Sequence, residues 1–404
     1  MKYFVSSLFL LLIGCIGPFK ELERQIDDVY FYSGIDNAPE PLPENFKNTI
    51  QVENKWLKEF DLLPENAEVV FKDKSVYFIT KDGRFTKINQ ENGDISFSKQ
   101  IEIKVRAGLF SGNDNYFYFI DERNYLTKID ELGNLIWSIK LLNSSQLSPI
   151  FYKEQIILKF VNNNIESFDV LTGVSLWSYV RQNPPLSINV QSPLLIADNI
   201  LYSGNPGGKV IIIEPESGGF LTELTLSRSK GVTEIDRTND VAGNIGIVDN
   251  LLFASSYNGE IASFDRSSGS KIWSRPLSSY HGVTTDNINL IVAHENDSIY
   301  NFDLNTGKVI WKNNDFSFRK ISSPIIFKDF LLVIDYLGVL HIMNLDEGER
   351  IALHQFGNDI QELIDFGETH SVKNTLNTTK IYKHEDFVYI LLNHHKFIKI
   401  QINE

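Results

Sequence analysis

The sequence predicts an all-β fold, an eight-bladed β-propeller with four-stranded blades, on three observations. A ten-residue unit recurs as FDLNTGKVIW (302–311), FDRSSGSKIW (264–273) and FDVLTGVSLW (168–177), with degenerate copies at 88–97, 129–137, 213–222 and 343–352. The positions equivalent to its final Trp fall at 56, 97, 137, 177, 222, 273, 311 and 352, a spacing near 40 that marks propeller blades. The runs between them, such as VYFIT (76–80), LYSGN (201–205) and FLLVID (330–335), are short, β-rich and bounded by turn residues. That texture argues against helical repeats of similar period.

The elements follow in chain order. Residues 1–14 carry Lys2 and then an apolar run, Tyr3 to Ile13, too short to span a bilayer comfortably. The box Leu12-Ile13-Gly14-Cys15 resembles the bacterial lipoprotein signal, in which a thiol behind a small residue receives lipid. Cys15 is the only cysteine of the chain. Several acyl chains on one residue give durable anchoring, because each buried CH₂ contributes about 0.8 kcal/mol. Residue 16 is Ile rather than the Asp of inner-membrane retention, so the sorting rule implies the outer membrane, periplasmic face. Residues 15–49 read as a plain tether. Phe19 to Tyr32 has the spacing of a short helix, and Pro39, Pro41 and Pro43 enforce extended backbone.

The propeller is expected over residues 50–404. Within each unit, the pairs Ser148-Pro149, Ala242-Gly243, Ser192-Pro193 and Ser323-Pro324 end 28 to 30 residues before a Trp-equivalent and open a first strand. Turns at Asp82-Gly83, Gly207-Gly208, Asn258-Gly259 and Leu337-Gly338 separate the second and third strands. The repeat unit itself is the third strand's end, an Asx–Gly turn and the fourth strand, giving strands A to D. Trp56, Trp137, Trp177, Trp273 and Trp311 are read as blade-packing residues. Trp56 has no three strands before it. The C-terminal residues supply strands near Ile364, Ile381–Tyr382, Val388–Leu392 and Phe397–Ile400 but no Trp-equivalent. The segment QVENKWLKEF (51–60) is therefore expected to complete the last blade and remove its free edge.

Composition narrows function. With 38 basic and 52 acidic residues the net charge is −14, which disfavours nucleic-acid binding, and no basic patch stands out. One cysteine allows no intrachain disulfide and no Cys-rich zinc site. Asp169, Asp265 and Asp303 recur in every good copy of the turn and are structural. His394-His395 with His384 reads as solvated edge histidines, since neighbours on a strand face opposite ways. There is no Gly-rich phosphate loop, nucleophile elbow or HExxH. No metal, cofactor or catalytic residue is expected.

The D-x-x-T-G-x-x-x-W unit is the repeat of the quinoprotein-like propellers, and within them the chain resembles the BamB family, lipoprotein subunits of the outer-membrane β-barrel assembly machinery. GVTEIDRTNDV (231–241) is similar to that family's long inter-blade loop, and PPLSINVQSP (184–193) to its other interaction loop. LGVLHIMNLDEG (337–348) matches family phrasing. The resemblance implies a non-catalytic scaffold that binds the central, BamA-like barrel subunit and assists insertion of β-barrel proteins. It implies a partner contact through Leu186, Ile188, Asn189, Asp236, Arg237 and Asp240. Asn189 and Ala242 stand where relatives often carry Arg and Asp. Independently, both loops join strand D of one blade to strand A of the next, so they leave one face at adjacent junctions. The second accounts for the longest interval, 222 to 273. Two other functions fit the fold: a propeller binding glycans or peptides in its funnel, hinted by Tyr257 and Tyr280, and a quinone-dependent dehydrogenase. The dehydrogenases resemble a longer chain with cofactor-docking Trp motifs, often a vicinal disulfide, and a calcium site.

Overall fold

A computed structural model describes residues 39–43, 45–188, 190–228, 232–356 and 379–403. Cys15, the 19–32 segment, Asn189 and the strand expected near Ile364 lie outside them. The described residues form eight antiparallel sheets, one per blade. Blades 1 to 7 follow the chain from Val70–Lys72 to Arg350–Gln355. Blade 8 is built from Lys380–His384, Phe387–Leu392 and Lys396–Asn403, and its outer strand is Gln51–Glu59. That strand pairs antiparallel with the last, from Gln51 opposite Asn403 to Glu59 opposite Lys396. The closure expected at Trp56 is the one the fold uses.

One strand was not expected. Asn66–Ala67 runs parallel to Val105–Ser111 and gives blade 2 a fifth, innermost strand. It carries the chain from the outer edge of blade 8 to the inner edge of blade 1 and sets Glu68 at the ring's centre. There Lys380 donates to the Glu68 carboxylate and to the Ala67 carbonyl.

The Trp positions show how sequence period becomes ring geometry. All eight Trp-equivalents sit beside a register shift on strand D. Such bulges bend the strand and re-aim a side chain. The indole N–H groups of Trp56, Trp137, Trp177, Trp273 and Trp311 donate to carbonyls of Gln90, Val170, Pro215, Leu304 and Leu345, at 2.9–3.2 Å. Each acceptor follows the Asx or Glu that opens the C–D turn of the next blade. The turn glycine lies flat on the same indole. At Gly307, φ is +63° and a Cβ would meet Trp273 at 2.4 Å, so only glycine fits. Each Trp therefore clasps the following blade, and a cavity in its place costs about 3–5 kcal/mol. Ala352, at the last junction, has no such turn to clasp, because strands C and D of blade 8 come from opposite ends of the chain. Asn48 acts there instead: its amide donates to Leu353 O at 3.0 Å and its oxygen accepts from Leu353 N–H at 2.9 Å.

The described end of the tether is more than a spacer. Glu40 N–H donates to Ser317 O at 2.9 Å, and the buried Arg319 donates to Glu40 O at 2.5 Å. Arg319 is itself held by Asp335, which also bonds His341 at 3.0 Å. Glu40, Asn48 and Thr49 thus dock along blade 7 before the closing strand begins.

Candidate functional site

Consecutive antiparallel strands put D–A loops and B–C turns on one face of the ring. The loop after Ser175–Tyr179 enters blade 4, and the loop after Phe220–Thr225 enters blade 5. Pro184 and Pro185 make the first loop extended. It is tied back to the B–C turn of blade 3: the Asn183 amide donates to Asn162 O at 2.5 Å, and the Gln191 amide to Phe160 O at 2.7 Å. Leu186 is 42% exposed, whereas Ile188 is partly buried.

The second loop makes a single tight turn. Asp236 accepts from Thr233 N–H, and Asp236 N–H donates to the Thr233 hydroxyl, each at 3.1 Å. This reciprocal pair satisfies donors as a capping box does. The Thr233 hydroxyl and amide hold the Asp236 carboxyl below its ordinary range. Arg237 lies 3.6 Å from Glu234. The Asn258 amide, in the B–C turn of blade 5, holds the loop through Asp236 O at 2.9 Å.

Asp240 differs most from expectation. Expected as a partner contact, it is only 3% exposed. Its carboxylate accepts from Ile188 N–H at 2.7 Å and Gly207 N–H at 3.3 Å. Burial pushes its pKa up, against those two N–H groups and the charge of Lys159. The two loops are thus joined by a bond across 52 residues of sequence. Asp240 and the Ile188 backbone belong to the joint, not to an exposed contact. Ala242 is fully buried and presents nothing to a partner.

The outward apolar surface includes Val232, which the sequence reading did not single out, and Ile235, which lies in the family-like loop but was not among the expected contact residues. Val232 is 88% exposed and Ile235 is 74% exposed. With Leu186 they are the exposed branched side chains of two loops joined through Asp240. The signal lay in the insertion itself: two apolar residues three apart in a polar loop whose neighbours form no strand.

The histidines also differ from expectation. His394 is buried in the B–C turn of blade 8, with φ of +60°, and His384 stacks on Phe71 at 4.5 Å. Tyr257 and Tyr280 are both partly buried, and Tyr280 packs on His281 at 4.3 Å between ring centres.

A closed ring of eight blades built on the Asx–Gly–Trp turn defines an eight-bladed β-propeller with quinoprotein-like repeats. A family model described as outer membrane protein assembly factor BamB matches residues 81–313. The chain belongs to the BamB family. It is 24% identical over 280 residues to the outer membrane protein assembly factor BamB of Bordetella pertussis, covering 69% of this chain and 72% of that one. It is 25% identical over 318 residues to the Burkholderia pseudomallei protein of the same name, covering 78% and 83%. The crystal structure of BamB from Moraxella catarrhalis superimposes with a TM-score of 0.74 over 87% of this chain and all of that one, at 19% identity. That last likeness concerns the fold.

Proposed function

We propose that this protein is a non-catalytic scaffold lipoprotein that assists assembly of β-barrel proteins into the outer membrane. Residues 1–14 are its signal peptide, Cys15 its lipid anchor at the periplasmic face, and residues 15–49 its tether to a propeller of residues 50–404. The D–A loops of blades 3 and 4 dock on the central barrel subunit of the assembly machinery. Its relatives carry the name of outer membrane protein assembly factor. The observation that carries the docking reading is the joint between the loops, Ile188 N–H to Asp240, which ties the loop bearing the exposed Leu186 to the one bearing the exposed Val232, Ile235, Asp236 and Arg237. Charged groups orient a partner, while the apolar anchors supply affinity. Burying a Leu-sized side chain contributes about 1.5–3 kcal/mol.

The test is a Leu186→Ser, Ile235→Ser double variant. Both side chains face water, so the melting temperature should stay within a few degrees. Co-purification with the central barrel subunit from detergent-solubilised outer membrane should be lost. Wild-type recovery of the partner with a folded variant would place the contact elsewhere on the ring.

A further inference from the structure

Lys159 is the last residue of strand B in blade 3, Gln155–Lys159, and it is buried. None of the other seven B strands ends in a cation. A buried charge is costly in a core, and replacing one with apolar side chains is often neutral or stabilising. Blade packing alone gives no reason for a lysine at this place. Its amine donates to Ser192 O at 3.1 Å and to Gly204 O at 2.5 Å. Ser192 ends the first interaction loop. Gly204 precedes Asn205, whose carbonyl receives Val241 N–H from the end of the second loop at 3.2 Å. From the other side, the Asp240 carboxylate grips Ile188 N–H and Gly207 N–H. Lys159 and Asp240 influence one another through space. Burial lowers the Lys159 pKa to about 7, and the two groups bracket the loop roots, one from the end of strand B in blade 3 and one from within the second loop.

We propose that Lys159 and Asp240 form a buried latch that fixes the two interaction loops against each other, and that Lys159 is a positioning residue for partner docking. The second half rests on the function proposed above. The latch holds the first loop at both flanks of Asn189, through Ile188 and Ser192, so the exposed Leu186 keeps one position relative to Val232 and Ile235. A loose pair of loops would have to be ordered on docking and would bind more weakly.

The experiment uses the full-length protein with Lys159→Met, which keeps the aliphatic stem and removes the amine. Amide exchange of residues 183–192 and 232–241 should accelerate roughly tenfold, as expected for losing one or two buried hydrogen bonds. Exchange in the blade strands should be unchanged, which a general loss of stability would not allow. Affinity for the purified central barrel subunit should fall by a similar factor. Unchanged loop exchange overturns the latch, whatever happens to binding. Loosened loops with wild-type affinity overturn the positioning role. In that event the Leu186→Ser, Ile235→Ser variant separates the cases: if it too binds normally, the partner-face reading has failed as well. Should Lys159→Met not fold, Asp240→Asn answers the same questions. Its amide oxygen can still accept one of the two N–H bonds, but the charge is gone.

Discussion

At the residue scale, burial rather than residue type decides what the ionisable groups do. His394 carries two ring nitrogens without hydrogen-bond partners in a closed turn. Burial, with Lys380, His395 and Lys81 nearby, lowers its pKa from 6.5 to about 4. Between those values the unfolded chain holds more protons than the folded one, so stability is complete above 6.5 and is lost as pH falls toward 4. The difference amounts to about 3 kcal/mol. His281 behaves alike, with a pKa lowered to about 4 by burial. Its neighbour Asp297, 3.9 Å away, is pushed up to about 6 by burial and acts with the opposite sign, so that pair largely offsets itself. For His394 only the Pro64 backbone works against burial, and burial wins. His394→Asn suits the positive φ, a region Asn tolerates, and should narrow the gap in melting temperature between pH 7 and pH 4.5. An unchanged gap would assign acid sensitivity to other groups.

At the element scale, the outer strand of blade 8 bears the greatest burden. Gln51–Glu59 is the only outer strand joined to its own blade through hydrogen bonds alone, with no C–D turn. Trp56 packs between Tyr389 and Phe397 and reaches across to Gln90 in blade 1. A chain beginning at residue 62 would lose that strand, the Asn48 clasp on blade 7 and the indole. We expect a melting temperature lower by many degrees and a broadened transition, from a loss well above the ~3–5 kcal/mol of one large cavity. Wild-type cooperativity in that shortened chain would show that the ring does not depend on this closure. The period of the Trp positions made the closure legible, because Trp56 was one unit too early for a complete blade. The short parallel strand at Asn66–Ala67 was not legible. Two residues carry no alternation to read, and their pairing is made by a strand 41 positions away.

At the scale of the whole molecule, the docked segment at Glu40 and the candidate docking loops share a side. The segment at Glu40 docks on Ser317 and Arg319, in a D–A loop. The candidate docking loops leave the same face, two and three junctions away. Cys15→Ala should move the protein from the membrane to the soluble periplasmic fraction while leaving its melting temperature alone. Retention in the membrane fraction without an acyl label would count against the anchor.

What the sequence by itself determined was periodic or chemical. The repeat of Asx, Gly and Trp near every 40 residues specifies the blade, because turn and clasp are both local geometry that each copy must satisfy. The long polar insertion after Thr225 marked a loop with work beyond connection. Only the tertiary structure decided which residues of that loop face water. Asp236 and Asp240 are four apart and chemically identical, yet one is exposed and the other is sealed beneath Ile188. Lys159 carried no signal at all, since nothing in a strand reading QIILK distinguishes a solvated end from a buried one. Its surroundings are supplied by Ser192 and Gly204, 33 and 45 residues further on. Burial at a blade junction depends on what the neighbouring blade brings to it, and that is settled only when the ring closes.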